Sequence, residues 1–341
     1  MRIGQIAPLF ESVPPELYGG TERVVGWLTE ELVRRGHDVT LFASGDSRTS
    51  ARLISAVPRP LRLDPDSPDA LAAHVVELGQ AFGRAPEFDV LHAHVDVLAF
   101  PFSRLGGIPI VHTLHGRLDT PAIVHALSEF SDIPLVSISD AQRTAVAHLD
   151  LRWVATVPHG LPLDAIPFSP AGGRSLAFLG RISPEKGVRV AIEVAKRAGV
   201  PLRIAAKVDA PDRAYFEQIR PLLEHPLVEF VGEIGDDEKY RFLGEARALL
   251  FPIDWPEPFG LAMLEALACG TPVIARPYGS VPEIIRDGET GWIADTVDEL
   301  ASAVKRLDLI DRARCRADVA ARFSVATMAD LYEAVYRRLA S

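Results

Sequence analysis

Sulfur and aromatic side chains are scarce: 341 residues contain two cysteines, three methionines and only 7% Phe, Trp and Tyr. Two cysteines cannot build a disulfide framework, and their number fits a reducing cytoplasm. Neither Cys269 nor Cys315 has the spacing of a metal site. Cys269, at the close of an apolar helical stretch, reads as a buried small residue. No apolar run reaches the ~18 residues that suggest a membrane span. The opening "MRIGQIAPLF" reads as a first strand rather than a leader, because Gln5 interrupts a short apolar run. Lysine is missing from the first half: residues 1–166 hold 13 Arg, no Lys and 20 acids, within a net charge of −10. That balance argues against a nucleic-acid partner and against docking on anionic lipid. No G-x-G-x-x-G fingerprint, Walker A sequence, short repeat or low-complexity tract occurs.

What is present is ordinary for a globular chain of two domains, with 48% hydrophobic and 24% charged residues. Apolar β-branched runs alternate with helical patterns. The first half offers "RIGQIA", "DVTLFA", "DVLHAH", "PIVHTL", "PLVSIS" and "VATVP". The second offers "LAFLG", "PLRIAA", "VEFVG", "ALLFPI", "PVIA" and "GWIA". This is the βαβ rhythm of doubly wound parallel sheets, an α/β fold. A Pro- and Gly-rich stretch, "VPHGLPLDAIPFSPAGGRS", lies near the midpoint. Two Rossmann-like halves joined there leave a cleft facing the carboxyl ends of both sheets, where ligands bind in such folds. The last 18 residues read as an amphipathic helix with Met328, Leu331, Val335 and Leu339 on one face.

Four stretches carry chemistry. "GRISPEKG", Gly180 to Gly187, follows a strand and places Arg181 and Lys186 in one loop, before a helix starting near Gly187. Two cations and a helix N-terminus suit a phosphate; a solvated loop with its charges paired to Glu185 is the alternative. "EPFGLAMLEALACGTPVIA" puts Glu257 in the loop after a strand, then Phe259, Gly260 and Leu261 at a helix start, then Glu265 two turns into an apolar helix. Free N–H groups there suit an anion or sugar oxygen, and carboxylates suit hydroxyls. Alternatively Glu257 is an exposed acid favoured by the helix dipole and Glu265 pairs with an Arg. "YGGTERVV" brings Gly19 and Gly20, which allow close backbone approach, with Thr21 as a cap for a helix from Glu22. "LHAHVD" and "VHTLHG" supply His92, His94, Asp96, His112 and His115. H-x-H suggests a metal, but a third ligand is missing, so His92 and His94 read as structural. His115, before a glycine at a strand's carboxyl end, is the better substrate contact.

Together these residues resemble glycosyltransferase family 4, retaining enzymes of GT-B fold: two Rossmann-like doubly wound domains facing across a cleft. The likeness is carried by "GRISPEKG", "FVGEIGDDEK", the E-x7-E pair Glu257 and Glu265, "GSVPEIIRDGETGWI", "YGGTERVV" and "TLHGRLD". It implies an acceptor domain over 1–164, a nucleotide-sugar donor domain over 165–322, and a helix over 323–341 crossing back to the first. It further implies that Arg181 and Lys186 grip the donor diphosphate, with Gly180 in the same motif. Glu257 binds the donor sugar's hydroxyls, with Phe259, Gly260 and Leu261 at the helix start beside it, and Glu265 binds the ribose. Gly19 and Gly20 approach phosphate or sugar, and His115 lies near the anomeric centre. Because cations and helix termini can stabilise the departing diphosphate, no metal or other cofactor is expected. The partners expected are a nucleotide-sugar and a hydroxyl acceptor, soluble by preference given the acidic first half. Two departures stand out: His159 in "PHGLP", where relatives often have Asn-Gly-Val, and Lys207 in "RIAAKVD", placed to reach phosphate or base or else simply exposed. The rivals are a nucleotide-sugar epimerase of the same fold, a non-catalytic nucleotide-sugar-binding protein and, less well supported, an NAD-dependent dehydrogenase.

Overall fold

A computed structural model describes residues 1–17, 19–64, 66 and 69–341, with Asp237 as backbone only. Tyr18, in "YGGTERVV", lies outside the described residues. The chain divides into two compact units, one of Met1–Gly160 with Val325–Ser341 and one of Leu161–Ser324.

The first unit holds β1 (Arg2–Ile6), β2 (Asp38–Ala43), β3 (Arg52–Ser55), β4 (Val90–Ala93), β5 (Ile110–Thr113), β6 (Leu135–Ser137) and β7 (Trp153–Thr156). All pairings are parallel, in the order β3-β2-β1-β4-β5-β6-β7. Ile6, Phe42, Leu91 and Ala93 from the central strands pack into one core cluster, as continuous apolar strands covered on both faces should. β3, "RLIS", has no counterpart among the apolar runs above. It is an edge strand of half-exposed residues, so its sequence carries no core pattern.

The second unit holds β8 (Leu176–Arg181), β9 (Leu202–Lys207), β10 (Val228–Gly232), β11 (Ala248–Phe251), β12 (Val273–Ala275) and β13 (Gly291–Ile293). They too are parallel, in the order β10-β9-β8-β11-β12-β13. In each unit the strand order reverses once, between β1 and β4 and between β8 and β11. Such switch points open a crevice at the carboxyl ends of a doubly wound sheet.

The helix Gly20–Arg34 begins two residues earlier than Thr21 as cap requires. Gly19 is its N-cap, and no side chain caps it. The C-terminal helix Val325–Ala340 belongs to the first unit, where Arg35 holds Asp330 at 2.6 Å and Glu333 at 3.2 Å. Its buried face is Met328, Ala329, Tyr332, Val335 and Tyr336, whereas Leu331 is exposed. The aromatic pair at i, i+4 sets that face.

Candidate active site

Four sequence-predicted residues of the second unit lie on two loops at its switch point. β8 delivers Gly180 and Arg181 at its end, and the loop continues through Lys186 to Gly187. β11 ends at Phe251 and leads through Trp255 to Glu257. The loops are tied together by the Asp254 N–H donating to the Glu185 carbonyl at 2.8 Å. Gly187 makes that approach possible. Its φ is +76°, and a Cβ there would sit 2.0 Å from the Pro252 carbonyl oxygen. Lys186 Nζ consequently lies 2.5 Å from Glu257 Oε2 and 4.8 Å from the centre of the Trp255 ring.

Arg181 stands beside Lys207 in the β8–β9 register, so a third cation joins the edge. Each of the three meets a carboxylate. Arg181 Nη2 is 2.6 Å from Glu185 and its Nε 3.1 Å from Asp212; Lys207 Nζ is 3.1 Å from Asp209. The pairing with Glu185 is thus present. Glu257, the partner of Lys186, is buried, whereas the Arg181 and Lys207 pairs are one-sixth to one-third exposed, where an ion pair contributes roughly 0–1 kcal/mol. An incoming dianion can therefore exchange with the carboxylates at small cost. Partial burial pushes the Glu185 carboxyl up, but bonds from Ser183, a backbone N–H and Arg181 together outweigh it and hold the group below the ordinary range.

Glu265 lies in the helix Leu261–Ala268, which is apolar on all sides except there and is buried accordingly. Its partner is Lys239, not an arginine: Nζ to Oε1 is 2.6 Å, with both side chains more than nine-tenths buried. Asp236 adds a second contact to Lys239 at 2.7 Å. Glu265 Oε2 has no hydrogen bond among the described residues, so one acceptor of the carboxylate is left for a ligand. The Lys239 helix, Asp236–Gly244, begins within the quoted "FVGEIGDDEK". An apolar helix carrying one acid calls for such a base elsewhere, but 26 positions of separation hide it.

Phe259 is buried, Gly260 takes φ +84° as N-cap, and Leu261 opens the helix. Sequence reasoning assigned nothing to the loop after β12, yet it buttresses Glu257. The Ser280 N–H donates to the Glu257 carbonyl at 3.0 Å and the Ser280 hydroxyl to the Phe259 carbonyl at 2.7 Å. A Cβ on Gly279 would fall 2.2 Å from the Glu257 oxygen. The quoted "GSVPEIIRDGETGWI" contains Gly279 and Ser280, but it was read only as part of the family likeness.

In the first unit, Gly19 and Gly20 open the helix that follows β1, and His94 follows β4, again at the switch point. His115 follows β5. His94 Nδ1 is 2.8 Å from His115 Nε2, and His94 Nε2 is 2.9 Å from Gln5 Oε1. Burial depresses the imidazoles of His92, His94, His115 and His159 below the ordinary histidine range, so they are neutral at pH 7. His159 stacks on His115 with centroids 5.2 Å apart. The H-x-H pair is spent on hydrogen bonds, and no group of three His, Cys, Asp or Glu poised for a metal occurs among the described residues. Cys269 is fully buried, its thiol pushed up to about 12 by burial.

Residues 18–164 match the family described as Glycosyltransferase Family 4, and residues 164–321 that described as Glycosyl transferases group 1. The chain belongs to glycosyltransferase family 4. It is 28% identical over 344 residues to a phosphatidyl-myo-inositol mannosyltransferase of Mycobacterium leprae, covering 89% of this chain and 86% of that one. Among solved structures it resembles the sucrose-phosphate synthase of Thermosynechococcus elongatus, with TM-score 0.81, 19% identity and coverage of 99% and 98%. An Anabaena protein in complex with UDP and glucose gives TM-score 0.76 and 19% identity, covering 99% and 100%. The two sheets are the Rossmann-like domains of the GT-B fold, and the chain is a glycosyltransferase. No helix among the described residues is long and apolar enough to cross a membrane.

Proposed function

We propose that this glycosyltransferase moves a hexosyl group from a nucleoside-diphosphate sugar to an acceptor hydroxyl, with retention and without metal. The observation that carries the reading is the set of three exchangeable cations, Arg181, Lys186 and Lys207, at the switch point of the second unit. Breaking the sugar–phosphate bond leaves negative charge on the β-phosphate, and donors aimed there gain strength in the transition state. Arg181 offers a planar fork for two phosphate oxygens, and Lys186 a point charge. Once Lys186 turns to phosphate, Glu257 is released to accept from sugar hydroxyls, while Glu265 Oε2 accepts from the ribose. Gly19 and Gly20 give the donor an approach with no side chain in the way. UDP in the Anabaena complex supports a diphosphate donor of this type. The acid-rich first half, with 20 carboxylates against 13 arginines up to residue 166, favours a soluble acceptor in the cytoplasm over one embedded in anionic lipid.

Donor turnover tests the reading. The purified protein is given UDP-, GDP-, ADP- and dTDP-hexoses in EDTA, and released diphosphate and free sugar are measured. The expected result is slow hydrolysis of one donor with the anomeric configuration kept. Activity only on adding Mg²⁺ would remove metal independence, and an inverted product would remove retention. Isomerised nucleotide-sugar with no release would indicate an epimerase.

A further inference from the structure

The helix Ala70–Gly83 of the first unit, "ALAAHVVELGQAFG", hides its polar side chains and shows its apolar ones. His74 and Glu77, the two titratable residues, are buried. His74 Nδ1 lies 2.6 Å from the Ala70 carbonyl, and the Leu9 N–H donates to its Nε2 at 3.2 Å. Burial pushes the Glu77 carboxyl well up. Leu78 and Ala81 pack with Ile6 and Phe42 of the sheet. On the opposite side Leu71, Val75 and Val76 are 60%, 49% and 51% exposed, with exposed Ala72, Gly79 and Gly83 among them. A helix that is apolar all round belongs in an interior, and here one side has no cover. The bare surface continues past Phe82, which stacks on Phe102 at 5.2 Å, to Leu105, 86% exposed. Contiguous apolar surface of this kind marks an interaction site.

The face is complementary to itself. Ala72, Val76, Gly79 and Gly83 recur at i, i+4, i+7 and i+11, which forms one seam along the helix. A Cβ on Gly79 or Gly83 would meet nothing within 4 Å, so both are open notches. With two such helices antiparallel across a two-fold axis, Val76 of each copy falls opposite Gly79 of the other, and Ala72 opposite Gly83. The ends agree with this. Asp69, the N-cap, and Arg84, just past the last turn, are exposed on one flank, about 22 Å apart along the axis. Neither makes an ion pair among the described residues. Antiparallel pairing sets Asp69 of each copy beside Arg84 of the other, whereas parallel pairing sets like charges together. A lipid surface fits less well. Helices that lie on membranes carry Lys and Arg along a polar face. This helix has no polar face, in a half with 13 Arg, no Lys and 20 acids.

We propose that the face of Ala70–Gly83 pairs two copies of this chain in an antiparallel, two-fold dimer, Val76 against Gly79 and Asp69 beside Arg84. One helix face with its aromatic flank is at the small end of specific interfaces, so the pairing is reversible, with Kd about 10 µM.

Sedimentation velocity of the full chain over a concentration series tests this. Wild type should pass from monomer to dimer around that Kd. Val76→Asp puts a carboxylate from each copy into the seam and should weaken pairing about 100-fold. Its thermal unfolding should match wild type, because Val76 is on the surface. Arg84→Asp and Asp69→Arg each bring like charges together at the rim and should weaken pairing about ten-fold. Mixed in equal amounts, these two single variants should pair as well as wild type, because acidic ends then meet basic ends. An interface elsewhere gives neither the loss nor the rescue. A wild type still monomeric at about 100 µM, a dimer that survives Val76→Asp, or a mixture that does not pair would overturn the proposal. So would a monomer that floats with phosphatidylcholine–phosphatidylglycerol vesicles and stops floating in Val76→Asp, which assigns the face to lipid.

Discussion

The two switch points are built from opposite electrostatics. In the second unit Arg181 and Lys207 meet Glu185, Asp209 and Asp212 in partly exposed ion pairs, and Lys186 meets the buried Glu257. In the first unit the equivalent strand ends carry neutral imidazoles, hydroxyls and one amide in a buried chain. Exposed pairs are weak, so on the function proposed above Arg181 and Lys207 are exchangeable for an anion. Buried neutral networks are fully satisfied or costly, so the first unit holds one geometry.

Breaking the charged side should have the largest effect. Arg181→Ala should lower donor turnover about 100-fold, the size expected for losing one donor to developing charge, read from steady-state diphosphate release. Lys239→Ala strips the buried partner from Glu265 and should cost about 3 kcal/mol of stability in urea unfolding. Replacing the pair together, Lys239→Met with Glu265→Leu, should recover most of that loss.

A smaller effect sharpens the contrast from the first unit. Burial pushes the Glu22 carboxyl up from 4.5 to about 7, against bonds from backbone N–H groups, with the Glu11 charge adding to the rise. The folded state therefore binds this proton more tightly than the unfolded one. Its contribution is full below pH 4.5 and is lost as pH rises through 7. Glu22→Gln should stabilise the protein by about 2–3 kcal/mol more at pH 8 than at pH 5, relative to wild type in urea titrations. Smallest is Glu185→Gln, which removes one competitor for Arg181. Diphosphate should bind about two-fold tighter, because the pair it breaks is partly exposed.

The sheets were legible because their strands are buried on both faces and read as apolar runs. β3 was not, since its exposed and half-exposed residues leave no apolar run to see. Glu257, Glu265, Arg181 and Lys186 were legible by chemistry and spacing. Their partners were not: Lys239 lies 26 positions from Glu265, and Lys186 71 positions from Glu257. Pairs of that separation are set by strand order, which local pattern does not encode. His92 and His94 are held by hydrogen bonds, and His92 and Thr113 find theirs on tyrosines more than 200 residues away. The C-terminal helix was recognised by its period and misjudged in phase, because Tyr332 and Tyr336 displace Leu331 from the buried face.

The most direct test of the charge-exchange account is calorimetric titration of the full chain with UDP, GDP, ADP, dTDP and NAD in EDTA, repeated on Arg181→Ala. The account predicts that one nucleoside diphosphate binds without metal, more weakly as salt rises, and that Arg181→Ala abolishes the heat. Binding that needs added Mg²⁺, binding of NAD alone, or an unaltered titration in Arg181→Ala would contradict it.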